Sequence, residues 1–99
     1  MAQEKNFENK IKRYITDRGG WCVKFFANGM TKRGIPDLLC CVNGHFLAIE
    51  VKADNGKPSD LQLYQIEQIK RAGGSAMVLY PKQWDAFKDY IDYLVNNPR

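Results

Sequence analysis

Apolar residues recur along the chain in two alternating periods. Phe7, Ile11, Tyr14 and Ile15 fall at i, i+4, i+7 and i+8, one face of a helix with Lys10, Lys12 and Arg13 on its outer side. Gly19-Gly20 ends that helix, because glycine takes the left-handed conformation after a C-terminus at no steric cost. Residues 21–26 (WCVKFF) are aromatic and β-branched, so they predict a strand. A glycine-containing basic loop follows over residues 27–35. Residues 36–52 carry two apolar runs around Asn43-Gly44, a pair suited to a type I′ turn and hence to a hairpin. After a loop at 54–58, Ser59 caps a helix running to about Ala72, where Gly73-Gly74 stops it. Residues 75–80 predict a strand. Trp84, Phe87, Ile91 and Leu94 then predict a last helix. The expected order is αβββαβα, and no linker, repeat or low-complexity stretch divides it.

Composition narrows the class. The chain has 99 residues, 44% of them hydrophobic and 26% charged, which predicts a single α/β domain over residues 1–99 rather than two. A chain this short buries roughly 60–65% of its unfolded surface, so a second copy would help its thin core. The opening MAQEKNFENK lacks the apolar stretch of a secretory signal. The longest apolar run, Leu38-Leu39-Cys40-Cys41-Val42, falls far short of the ~20 residues that span a bilayer. Both point to a soluble cytoplasmic protein with no membrane partner. Cys22, Cys40 and Cys41 have no metal-like spacing and read as reduced core residues. A net charge of +4 and a pI near 9.0 are compatible with nucleic acid without establishing it.

The hairpin brings the chemistry into view. With Asn43-Gly44 as the two turn residues, Val42 faces His45, and the same register sets Asp37 across from Glu50, with Cβ atoms ~4.5–5.5 Å apart. Lys52 shares their face, with Leu39, Cys41, Phe46 and Ala48. Leu38, Cys40, Val42, His45, Leu47, Ile49 and Val51 occupy the other. Both faces are largely apolar, which predicts helices on both sides of the sheet. Opposed like charges on a partly buried sheet need compensation, and Mg²⁺ or Mn²⁺ is the simplest source. The plainer alternative is an exposed ion pair at the strand ends. His45, the only histidine, reads as an ordinary hairpin-end residue.

Gly34-Ile35-Pro36-Asp37 followed by Ile49-Glu50-Val51-Lys52 resembles the PD-(D/E)xK nuclease superfamily. Gln62, about ten residues beyond Lys52 in Ser59-Asp60-Leu61-Gln62, narrows the resemblance to the virus-type replication-repair nuclease (VRR-NUC) family. The likeness runs from Glu8 through Gly19-Gly20 and Lys24-Phe25 to Gly73-Gly74. It implies a restriction-endonuclease-like αβββαβ core, a mixed sheet flanked by helices, with the C-terminal helix added.

The resemblance further implies metal-dependent phosphodiester hydrolysis. Asp37, Glu50 and the Val51 carbonyl would bind Mg²⁺ or Mn²⁺, with Glu8 completing the site directly or through water. Lys52 would orient or help deprotonate the attacking water, and Gln62 would position Lys52 or the nucleophile. Each has a plainer role open to it: Glu8 would favour the dipole in a helix's first turn, and Gln62 would close a capping box with Ser59. Lys24, Lys32, Arg33 and Lys57 are the candidate DNA contacts.

Standalone domains of this kind act as dimeric nucleases on four-way (Holliday) junctions or other branched DNA, so a homodimer on branched DNA in a bacterial or phage-infected cytoplasm is the leading expectation. Trp84, Tyr90 and Tyr93 on the last helix are the candidate partly exposed aromatics for the dimer. A flap or general endonuclease, and a DNA-binding module without activity, are the alternatives.

Overall fold

The computed structural model describes residues 2–99. It contains α1 (Ala2–Asp17), β1 (Trp21–Lys24), β2 (Leu38–Val42), β3 (His45–Val51), α2 (Asp60–Arg71), β4 (Ser75–Leu79), a 3-10 turn (Pro81–Gln83) and α3 (Trp84–Asn96). The element order matches the one predicted. The first strand is shorter than expected, stopping at Lys24 rather than residue 26; one further backbone bond, from Phe25 N–H to the Asp37 carbonyl, ends its pairing before the chain turns away into the loop.

The strands lie in the order β1-β2-β3-β4. β1, β2 and β3 are antiparallel neighbours, and β4 returns parallel to β3, so the sheet is mixed. Asn43 (φ 50°) and Gly44 (φ 88°) both occupy the left-handed region, as a type I′ turn requires. The register follows from that turn: Val42 faces His45 and Leu38 faces Ile49. One step further lies Asp37, across from Glu50. The Asn43 side chain also donates to the carbonyls of Leu94 and Val95, at 3.0 and 2.8 Å, tying the turn to the last turn of α3.

Alternation along the strands divides the core in two. Leu38, Cys40, Val42, Leu47, Ile49 and Val51 meet Phe7, Ile11 and Ile15 of α1 and Phe87, Ile91 and Leu94 of α3. On the opposite face Ile66 of α2 packs on Ala48 and Ala76. Helices therefore cover both faces, but α2 lies over β3 and β4 and leaves the β1–β2 side open. Cys41 consequently is exposed, contrary to its expected burial. Cys22 and Cys40, paired across β1 and β2 on the α1 side, are free thiols with Sγ atoms 2.8 Å apart. No helix among the described residues is long and apolar enough to cross a membrane.

Candidate active site

The site forms at the end of the sheet where β2 begins and β3 ends. Pro36, fully buried, delivers an extended chain to Asp37 just before β2. Asp37 Oδ2 accepts from the Val51 backbone N–H at 2.9 Å, and its main-chain carbonyl accepts from Phe25 N at 2.8 Å. Its carboxylate is thus fixed against the last residue of β3.

Glu50 is 2% exposed. Its Oε2 accepts from Gln62 Nε2 at 2.8 Å and lies 3.3 Å from Lys52 Nζ. Oε1 is buried and has no hydrogen-bond partner among the described residues. Gln62 fills both roles open to it. Its backbone N–H donates to Ser59 Oγ at 3.1 Å and its Oε1 accepts from Ser59 N at 2.8 Å, closing the capping box. The remaining amide N–H₂ is left to hold Glu50. One helix cap therefore orients the carboxylate.

Two residues sit differently from expectation. Glu8 is not in a first turn: α1 begins at Ala2, Glu4 occupies the first turn, and the dipole account of Glu8 falls away. Glu8 is instead buried at 4% exposure, with Oε1 2.8 Å from Lys24 Nζ. Lys24, expected on the DNA-facing rim, lies among the carboxylates, with Nζ also 3.5 Å from Asp37 Oδ1. Its place follows from β1: Lys24 pairs with Leu38, next to Asp37, on the α1 side of the sheet. The signal was present in the sequence, since Lys24 is the one charge interrupting WCVKFF. It was unreadable without the β1 register.

Three carboxylates thus face two ammonium groups. Burial, then the charge of Asp37, pushes the Glu50 carboxyl up to about 7, against the pull of Lys52. For Lys24, burial lowers the pKa but Glu8 and Asp37 outweigh it, so the ammonium is held charged. No three His, Cys, Asp or Glu side chains among the described residues converge into a closed metal cage. Mg²⁺ does not ask for one, being held through one or two carboxylates with water and substrate phosphate supplying the rest. An orphaned carboxylate oxygen at Glu50 beside Asp37 fits that ion.

Lys32, Arg33 and Lys57 are exposed on the loops before β2 and after β3. The second loop lies over the stem of Lys52: a Cβ on Gly56 would meet Lys52 Cδ at 3.3 Å. Tyr80 Oη fastens it by donating to the Gly56 carbonyl at 2.9 Å. His45 contacts the Asn97 carbonyl through Nε2 at 2.6 Å, away from the site.

This sheet, flanked by helices on both faces, has the fold of a VRR-NUC domain. Among solved structures a VRR_NUC domain superposes with a TM-score of 0.67 over 96% of each chain, at 23% identity. The model of the archaeal Holliday junction resolvase (Hjc) family matches residues 2–88, and the chain belongs to that family. It is also 30% identical over 80 residues to "Putative nuclease p44" of Acyrthosiphon pisum secondary endosymbiont phage 1, covering 80% of this chain and 84% of that one.

Proposed function

We propose that the protein is a Mg²⁺- or Mn²⁺-dependent endonuclease that hydrolyses phosphodiester bonds in branched DNA, with four-way junctions as its preferred substrate, acting as a homodimer. The observation that carries this reading is Glu50: a buried carboxylate with one oxygen fixed by Gln62 and Lys52 and the other unpartnered beside Asp37. A purely structural glutamate at such a position would have both oxygens satisfied.

Asp37, Glu50 and the Val51 carbonyl would hold the cation, with Glu8, whose Oε1 is paired with Lys24, completing the site directly or through water. When bound, the cation supplies Lewis-acid polarisation of the scissile phosphate. Lys52 Nζ, steadied by Glu50 Oε2, holds the attacking water or a non-bridging phosphate oxygen and offsets charge developing there. Gln62 keeps the Glu50 plane fixed. Lys24 offsets part of the charge of Glu8 and Asp37, which eases the approach of a polyanion to three carboxylates. Lys32, Arg33 and Lys57 meet flanking phosphates.

The homodimer rests on the open sheet face. Trp21 pairs with Cys41 and Cys41 with Phe46, so the three form one row across β1, β2 and β3. Trp21 is 58% and Phe46 40% exposed, an apolar row that a second copy would cover. Of the three aromatics expected to be partly exposed on the last helix, Trp84 and Tyr90 are half-buried against the core and Tyr93 is exposed. The phage source of the p44 relative supports a host-cytoplasm setting.

The test is cleavage of a labelled four-way junction and a matching linear duplex with Mg²⁺, Mn²⁺ or EDTA, with Lys52→Ala alongside. Paired, cation-dependent nicks in the junction are expected, reduced at least about 100-fold in Lys52→Ala. Equal cutting of both substrates would leave a general endonuclease. Binding with no cutting in either metal would refute the catalytic assignment.

A further inference from the structure

Between β1 and β2 the chain makes an excursion over residues 26–36 that starts and ends in the site. Lys24 lies between Glu8 and Asp37, and the Phe25 N–H bond to the Asp37 carbonyl closes the base of the loop at 2.8 Å. The tip is held by its own hydrogen bonds. Asn28 Oδ1 accepts from Met30 N at 2.7 Å, and Asn28 N donates to Thr31 Oγ1 at 3.0 Å. The returning limb is wedged against α2. A Cβ on Gly34 would stand 2.5 Å from the Leu61 carbonyl oxygen and 3.0 Å from Gln62 N, so only glycine lets the backbones approach so closely. The loop is therefore built into the frame that sets Asp37 and Gln62.

This braced loop presents two large apolar side chains to water. Met30 is 95% exposed and Phe26 75% exposed. Lys32 and Arg33 follow directly, both exposed and neither in an ion pair among the described residues. Single exposed apolar residues are ordinary. An exposed pair on a hydrogen-bonded loop, next to two free cations and rooted beside the carboxylate cluster, matches the chemistry of a nucleic-acid wedge. Cations hold the backbone while apolar side chains enter where bases are unstacked.

Resting on the nuclease reading above, we propose that residues 26–34 form a branch-reading wedge. In it, Phe26 and Met30 contact unstacked bases beside the scissile phosphate, and Lys32 and Arg33 grip the flanking backbone. An intact duplex offers no exposed base face and receives only the electrostatic part of the contact. A branch point offers open faces at little further unstacking cost. Preference for branched DNA then comes from the loop, separately from the Asp37, Glu50 and Lys52 that would cut.

The proposal is tested by binding in EDTA, so that its result does not depend on cleavage. A four-way junction carrying 2-aminopurine at the branch, and a linear duplex with the same base inside, are titrated with the parent protein, Phe26→Ser, Met30→Ser and the double variant. Circular dichroism and sedimentation confirm unchanged fold and assembly. Both positions are solvent-exposed, so the fold tolerates serine there. The parent is expected to raise fluorescence on the junction alone. The double variant is expected to lose that rise and about tenfold of its junction-over-duplex preference. Lys32→Ser serves as the contrast, weakening both substrates alike and lowering the salt slope by about one. A fluorescence rise that survives in the double variant, or a parent that binds without any rise, overturns the wedge. So does a change in assembly in place of a change in preference, which would assign these side chains to a protein contact. A parent that shows the wedge signature yet never cuts with Mg²⁺ or Mn²⁺ upholds the wedge and defeats the nuclease reading. A parent that binds neither DNA defeats both.

Discussion

At Glu50 an ordinary rule is broken: buried polar atoms are hydrogen-bonded, yet Oε1 has no partner among the described residues while Oε2 is held by Gln62 and Lys52. The exception has a measurable signature. With its carboxyl lifted to about 7 in the fold and near 4.3 when unfolded, Glu50 binds a proton in the native state across that interval. The cation-free protein is therefore favoured on the acid side of the interval and loses stability as pH rises through it, on the order of 3–4 kcal/mol by pH 8. Thermal melts in EDTA should show the parent falling below Glu50→Gln as pH goes from 5 to 8, with the two close together at pH 5. Millimolar Mg²⁺ should remove most of the fall in the parent and do little for Glu50→Gln. A parent profile parallel to that of Glu50→Gln would mean that Glu50 is ionised and satisfied by some other means.

At the scale of elements, the start of α2 both caps a helix and holds the Glu50 carboxylate, and the two tasks separate by substitution. Ser59→Ala removes the cap acceptor and leaves the Gln62 amide to hold Glu50. It should cost about 1 kcal/mol in urea unfolding with little change in cleavage. Gln62→Ala should cost a similar amount and also lower the cleavage rate about tenfold, because Glu50 Oε2 then keeps only Lys52. Equal losses of activity in both variants would show that the cap alone matters. Gly34→Ala meets a positive φ of 81° as well as the Leu61 carbonyl. It should destabilise by roughly 1–3 kcal/mol, read as a lowered urea midpoint, since neither backbone can give way cheaply.

For the whole molecule, the division of charge decides how DNA can approach. The +4 net charge is carried away from the carboxylates, on the surface of α1 and on the loops at the site's rim. The apolar row Trp21–Cys41–Phe46 lies on the same sheet face as Glu50, about 13 Å along β3 from it. Phe46→Lys should therefore convert a dimer to a monomer in sedimentation, with melting still cooperative. It should also uncouple the two nicks on a junction into independent events. A parent that sediments as a monomer at working concentration would remove the basis for paired incision.

Much of this was legible because it depends on local periodicity. The helix over Phe7–Ile15 and the I′ hairpin at Asn43-Gly44 each follow from a few neighbouring residues, and the hairpin register alone set Asp37 against Glu50. The capping residues Ser59 and Gln62 were equally plain, as was the αβββαβα order. What sequence could not give were relations between segments far apart in the chain. Glu8 and Lys24 meet only because α1 packs beside β1 and β1 pairs with β2 in one register. That pairing placed Lys24 inside the carboxylate cluster rather than on its rim. Cys41 is exposed only because α2 settles over β3 and β4 and not over β1 and β2. The unpartnered Glu50 Oε1 is likewise a product of three elements closing on one carboxylate. Residue spacing fixes which groups share a face. Packing alone fixes which are dry, which are paired, and which are left free for chemistry.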